Sequence, residues 1–204
     1  ITSLLEGDEG ELYFGTFESG INIFKNGKIE NFRRTIKGQA FKTTYLINSE
    51  KYFYGYSSYA AIIEFAKKGK DDAHDNLINP NIILKKPTII RMIRRADGQL
   101  LVLTSQGLYL LKNKSLTRFD VSGLKPGNYY SAVLDKDSTI LIGGESIIYR
   151  IKNDKVISSY PVKMFDENNV YYIFIDSHSN IWFSIQGKGF FIIPKDSEKI
   201  INLA

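Results

Sequence analysis

Five short stretches of this 204-residue chain open with comparable residue pairs: Thr2-Ser3, Thr44-Tyr45, Ile90-Arg91, Tyr130-Ser131 and Tyr171-Tyr172. Together they offer aromatic faces, hydroxyl groups and one guanidinium. Such a set suits a sugar or another polar ring compound, because an aromatic face covers C–H surface while its polar tip hydrogen-bonds. The connections leading into these stretches, residues 33–43, 121–128 and 162–169, carry Arg33, Arg34, Lys37, Gln39, Lys42, Lys125, Asn128, Lys163, Asn168 and Asn169. They are basic and amide-rich, and loops on a rigid scaffold are common recognition surfaces, here fit for an acidic saccharide or an acidic partner. The candidate ligand contacts are therefore Tyr45, Arg91, Tyr130, Tyr171, Tyr172, Arg33, Arg34 and Asn168. A second reading of the tyrosines stays open: core packed between neighbouring sheets, with a polar tip.

Catalysis finds less support. Glycoside hydrolysis needs two carboxyl groups at a defined separation. Residues 1–5, 44–47, 89–93, 129–133 and 170–175, which carry the five pairs, contain no Asp or Glu. The acids stand in turns, at Asp8-Glu9, Asp97, Asp135, Asp137 and Asp176, where such side chains ordinarily bond nearby backbone. Of the two histidines, His74 falls in a charged loop with Asp71, Asp72 and Asp75, and His178 in a turn opposite the expected mouth. The loop reads as a solvated segment rather than a metal site. There is no cysteine, and no Ser-His-Asp set, phosphate loop or dinucleotide fingerprint can be assembled. The expectation is a non-enzymatic protein with no cofactor and no metal.

A repeat positions the five pairs. GELYFGT (10–16), KYFYGY (51–56), GQLLVLT (98–104), TILIGG (139–144) and NIWFSI (180–185) align, and Leu12, Tyr52, Leu100, Ile140 and Ile181 then lie 40, 48, 40 and 41 residues apart. A fixed period in roughly the 20–50 residue range marks solenoids and propellers. In the first copy, apolar runs at 1–5, 12–16, 21–24 and 28–32 alternate with turns, and Asn26-Gly27 carries the signal of a type I′ hairpin. The third copy gives strands at 89–93, 100–104, 107–111 and 116–119, the fourth at 129–134, 140–143, 147–151 and 155–160, and the fifth at 170–175, 181–185, 189–193 and 199–203. The second copy is degenerate and longer, its surplus assigned to a surface loop within 67–80. Runs such as Leu100-Leu101-Val102-Leu103 and Ile147-Ile148 are apolar on both faces, which radial stacking of four-stranded sheets requires.

The chain thus reads as an all-β, single-domain β-propeller of five four-stranded antiparallel blades, about residues 1–34, 43–83, 89–120, 129–162 and 170–204. The first copy begins at its innermost strand and the last ends at its outermost, which leaves no mixed blade to latch a ring. A five-bladed ring and a segment of a larger ring both stay open, with a slight preference for the segment. The charge of +5 is modest and the basic residues are scattered, so they serve solubility or favour anionic ligands. No nucleic-acid motif is present, no apolar run approaches the ~20 residues of a membrane helix, and no stretch reads as a signal peptide.

At the repeat motif the chain resembles the two-component regulator propeller family. Ile1-Thr2-Ser3-Leu4-Leu5, Asp8, Gly10, Leu12, Tyr13, Gly15, Thr16 and Gly20-Ile21 follow its pattern, with Tyr13 where the family prefers Trp. Trp182 supplies that residue in the fifth copy, followed by Gly187 and Gly189, while Asp97-Gly98, Leu100, Thr104, Gly107-Leu108 and Asp137, Ile140, Gly143, Gly144 carry the third and fourth. The second copy matches little beyond Gly55. The resemblance implies the periplasmic sensor region of a Bacteroidetes hybrid two-component system, in which seven-bladed propellers precede a membrane helix and a kinase. It implies sensing of a glycan-derived oligosaccharide, or assembly with other sensor domains or a second protomer, with membrane attachment only through parts absent from this chain. It transfers no functional residue, because its Gly and Trp positions are structural. The alternatives are a protein-interaction scaffold unrelated to sugars and, less favoured, a propeller lyase similar to streptogramin lyases. Those lyases need a histidine and a divalent metal at the ring mouth.

Overall fold

The computed structural model describes residues 1–7, 9–16, 20–33, 35–36, 39–40, 45–48, 52–57, 61–66, 76–78, 88–163 and 169–203. All regular structure among them is β. The chain divides into two compact units, residues 1–89 and 90–204.

In the first unit, β1 (Ser3–Glu6), β2 (Leu12–Gly15), β3 (Ile21–Lys25) and β4 (Lys28–Arg33) form an antiparallel sheet in chain order. A small hairpin of β5 (Thr35–Ile36) and β6 (Gln39–Ala40) follows, inside the connection read from sequence as a loop. A second sheet holds β7 (Tyr45–Asn48), β8 (Tyr52–Ser57), β9 (Ala61–Ala66) and β10 (Asn76–Ile78). β10 lies within residues 67–80, which the composition predicts as a surface loop. Leu77 pairs with Ile63 and Ile78 with Ile62, so a short apolar run inside a polar stretch is enough to complete the sheet. Tyr13, Ile21 and Leu46 pack together as this unit's described core, and the Tyr13 ring meets Phe32 edge-on at 5.2 Å.

The second unit contains three such sheets. They are β11 (Ile89–Arg94) to β14 (Ser115–Arg118) through β12 (Leu100–Thr104) and β13 (Gly107–Lys112); β15 (Tyr129–Leu134) to β18 (Lys155–Pro161) through β16 (Ile140–Gly144) and β17 (Ile147–Lys152); and β19 (Val170–Ile175) to β22 (Ile201–Asn202) through β20 (Ile181–Ile185) and β21 (Gly189–Ile193). The β13–β14 and β17–β18 hairpins turn at Asn113-Lys114 and Asn153-Asp154, all four residues at positive φ between 50° and 63°. This is the left-handed geometry of a type I′ turn, which Asn26-Gly27 adopts in the first sheet. The outermost strand of the last sheet is shorter than 199–203, because Pro194 to Ser197 form a turn and Lys199 bonds the Ser197 hydroxyl instead of a strand neighbour.

Every residue of β12 and β16 is buried, as two dry faces demand. Leu101, Leu103 and Leu108 of the third sheet pack on Ala132, Ile140, Ile142, Tyr149 and Ile151 of the fourth. The opposite face of the fourth sheet, with Leu141 and Ile148, packs on Ile173, Ile181, Phe183, Phe191 and Ile193 of the fifth.

The turn acids bond locally. Asp97 accepts from the Gln99 backbone, and Asp137 from the Thr139 backbone and hydroxyl. Asp176 accepts from the His178 and Asn180 backbones, the Asn180 amide and the Trp182 indole N–H at 2.9 Å. These donors, the indole foremost, hold the Asp176 carboxyl down at about 2. The bonds favour the charged form, so their stabilisation is present above the unfolded carboxyl pKa of about 3.9 and is lost as pH falls through about 2. Trp182 is the sole tryptophan and reports on the site. In a fluorescence-monitored acid titration, Asp176→Asn is expected to be less stable than the native chain at pH 7 and to converge with it between pH 4 and 2. A stability gap that stays constant through that window would contradict the assignment.

Candidate functional site

Strands β15 and β19 begin side by side in the second unit, and four of the expected contacts meet around their first residues. The rings of Tyr130 and Tyr171 lie 5.0 Å apart, tilted by 43°. The Arg91 guanidinium, on β11, sits 5.1 Å from the centre of the Tyr172 ring, a cation–π contact of about 0.5–1 kcal/mol at an exposed site. Tyr171 and Tyr172 are about half exposed and Tyr130 is partly buried. These rings therefore keep solvent-facing surface and are not fully enclosed between sheets. Tyr129, one residue earlier, behaves as core. It is buried, donates its hydroxyl to the Lys125 carbonyl, and burial pushes its phenol up to about 12.

The chain brings a carboxylate to this cluster that the sequence reading did not anticipate. Glu145 follows β16, which runs antiparallel to β15 and so returns to the end where Tyr130 stands. Its Oε1 accepts from the Asn128 amide at 2.7 Å and from the Tyr130 hydroxyl at 3.3 Å. Its backbone bridges Asn169, whose side-chain amide donates to the Tyr171 hydroxyl at 3.3 Å. Partial burial, with the Glu145 carboxylate beside it, raises the Tyr130 phenol above its ordinary value. Glu145 occupies the turn between the second and third strands of its sheet, not an innermost strand or a first turn. The available signal was Gly143-Gly144-Glu145-Ser146, a turn-rich run at the strand end that antiparallel pairing must place beside Tyr130.

Tyr45 begins β7 in the first unit and is half-buried, and Arg33 ends β4. Arg34 and Asn168 lie outside the described residues, as does the Asp71–His74 stretch. Among the described residues no three His, Asp or Glu side chains gather as a metal site. His178 stands in the turn after β19, at the opposite end of that strand from Tyr171.

No family model matches the chain, and no curated protein matches it significantly. Among solved structures it is similar to the extracellular domain of the putative hybrid two-component system BT4673 from B. thetaiotaomicron, at 19% identity and a TM-score of 0.75 over 99% of this chain and 27% of that one. The corresponding domain of the putative system BT3049 from B. thetaiotaomicron gives 18% identity and a TM-score of 0.73, over 100% of this chain and 30% of that one. A catalytically inactive virginiamycin B lyase from Staphylococcus aureus with quinupristin gives 15% and 0.74, over 98% and 68%. The fold is a β-propeller. At such identities the likeness carries the fold alone, and neighbours of both sensor and enzyme kinds share it. The chain spans about a quarter of the length of the first sensor domain, 27%. Among the described residues no helix is long and apolar enough to cross a membrane.

Proposed function

We propose that this propeller is a non-catalytic, ligand-reading part of an extracytoplasmic, periplasmic sensor, and that it binds a neutral oligosaccharide at the Tyr130–Tyr171 cluster. The observation that carries the reading is the tilted pair of tyrosines with the Glu145 carboxylate held between Asn128 and Tyr130. Aromatic faces cover the C–H side of a pyranose, and carboxylate and amides take its hydroxyls. A carboxylate at the centre repels an acidic sugar, so it moves the preferred ligand from the acidic class suggested by the loops to the neutral one. The repeat motif and the two extracellular sensor domains of the same fold support the sensory setting. A bound sugar signals only through different affinity for two arrangements of the sensor.

Thermal-shift titration with neutral and acidic oligosaccharides tests this. Saturation at one hundred times Kd is expected to stabilise the chain by about 2.7 kcal/mol. Tyr171→Ala is expected to remove the shift, and Glu145→Gln to reduce it. Equal response to acidic sugars, or a shift untouched by Tyr171→Ala, would contradict the site. The lyase alternative would predict turnover of a streptogramin that His178→Ala abolishes.

A further inference from the structure

Cross-strand pairing runs one row of side chains over the second, third and fourth strands of a sheet. Leu101 pairs with Leu110 and Leu110 with Thr117 in the third sheet. Trp182 pairs with Ile192 and Ile192 with Ile201 in the fifth, and Tyr13 with Ile23 and Ile23 with Glu30 in the first. In the fourth, Leu141 pairs with Arg150 and Arg150 with Ser158. Arg150 thus holds the place of Leu110, Ile192 and Ile23. Leu110 and Ile23 pack on the apolar cores beside them, which is the ordinary use of that place. A cation there gives up apolar burial and gains only when something pairs with it.

Arg150 instead lines a cavity of about 560 Å³ between the fourth and fifth sheets. Leu141 and Ile181, both buried, and Pro194 give it an apolar wall, and Tyr160 and Ser179 bring hydroxyls. Arg150 is half-buried, and among the described residues its guanidinium has no ion pair and no hydrogen bond. The other charges stand differently. Lys136, Lys195, Asp196 and Glu198 are exposed at the rim, where salt screens both signs. Asp137 is taken by Lys152 at 2.9 Å, and Asp135 accepts from the Lys136 backbone at 2.6 Å. Arg150 therefore sets the charge inside the cavity.

We propose that this cavity binds a small organic carboxylate, its two oxygens on the Arg150 guanidinium and its hydrocarbon body against Leu141, Ile181 and Pro194. The guanidinium fork matches a carboxylate with two parallel N–H donors, which a lone ammonium cannot do. The volume falls within the roughly 300–1,000 Å³ of small-ligand sites, which join an apolar wall to a few convergent polar groups. All lining residues belong to the second unit. The cavity opens beside the turns that follow β15 and β19, at the opposite end of those strands from Tyr130 and Tyr171. This inference stands independently of the oligosaccharide site.

The test titrates benzoate, benzyl alcohol and inorganic sulfate into the 204-residue chain at constant ionic strength, with backbone amide chemical shifts as the readout. Benzoate is expected to move Arg150, Ser158, Ser159 and Ser179 saturably and to leave residues 128–131 and 169–172 in place. Benzyl alcohol lacks the charge and sulfate lacks the body, so each is expected to bind at least roughly tenfold more weakly. Arg150→Leu installs the residue type the third sheet carries there, and is expected to fold and to abolish the saturable change. Arg150→Gln, which removes the charge and keeps a polar tip, replaces it if it fails to fold. No saturable change with benzoate would overturn the proposal. Benzyl alcohol or sulfate binding as tightly as benzoate, or benzoate binding that survives loss of the guanidinium, would overturn it equally.

Discussion

Replacing Gly143 with alanine is expected to destabilise the chain by about 2–6 kcal/mol, combining about 1–3 for overpacking and about 1–3 for a strained buried hydrogen bond. Gly143 lies on the face of the fourth sheet that packs on the fifth. A Cβ there would sit 2.4 Å from the Ser131 hydroxyl and 2.7 and 2.9 Å from two carbons of Val170. The same hydroxyl donates to the Val170 carbonyl at 2.7 Å and ties the fourth sheet to the fifth. The added methyl therefore strikes both the packing and a side-chain hydrogen bond of that seam. Urea denaturation of Gly143→Ala, Ser131→Ala and the double variant is expected to show a coupled pair, with Gly143→Ala costing less once the hydroxyl is gone. Strict additivity would mean that the sheets relax apart and that the seam is not close-packed.

Truncating Phe183 is expected to have the largest effect of any single side chain, about 3–5 kcal/mol for Phe183→Ala. Phe183 is 1% exposed, stacks on Phe191 at 5.3 Å with planes 20° apart, and lies at the centre of the core joining the fourth and fifth sheets. At roughly 2–4 °C per kcal/mol for a chain of this size, its loss lowers Tm by roughly 6–20 °C. Phe190, one residue from Phe191, is 65% exposed, so Phe190→Ala is expected to cost under about 0.5 kcal/mol. Differential scanning calorimetry on both variants separates the readings. Comparable losses at Phe183 and Phe190 would show that the fifth sheet is not two-faced in the way described.

The repeat made much of this fold legible. Runs such as Leu100 to Thr104 lack alternation because both of their faces are dry, and that alone points to stacked sheets. The hairpin at Asn26-Gly27 is legible because positive φ narrows the residues a type I′ turn accepts. Strand β10 was not, since Asn76-Leu77-Ile78 is shorter than any periodicity can register, and its place comes from pairing with β9. The last strand was overread because residues 194–197 favour a turn over continued pairing. For the candidate site, the repeat tells which residues hold equivalent places, and that groups Tyr130, Tyr171, Tyr172 and Arg91 as candidates. Equivalence does not tell which of five places touch, nor does it reveal a side chain contributed by another turn at the same end. Glu145 was missed for that reason.

The central claim is that ligand is read at the ends of β15 and β19 where the tyrosines and Glu145 meet. Backbone amide chemical shifts, followed while the neutral oligosaccharide giving the largest thermal shift is titrated in, test it most directly. The account predicts saturable changes confined to residues 128–131, 145 and 169–172. Changes centred on the opposite turns, at 135–139 and 176–180, or none with any saccharide, would contradict it.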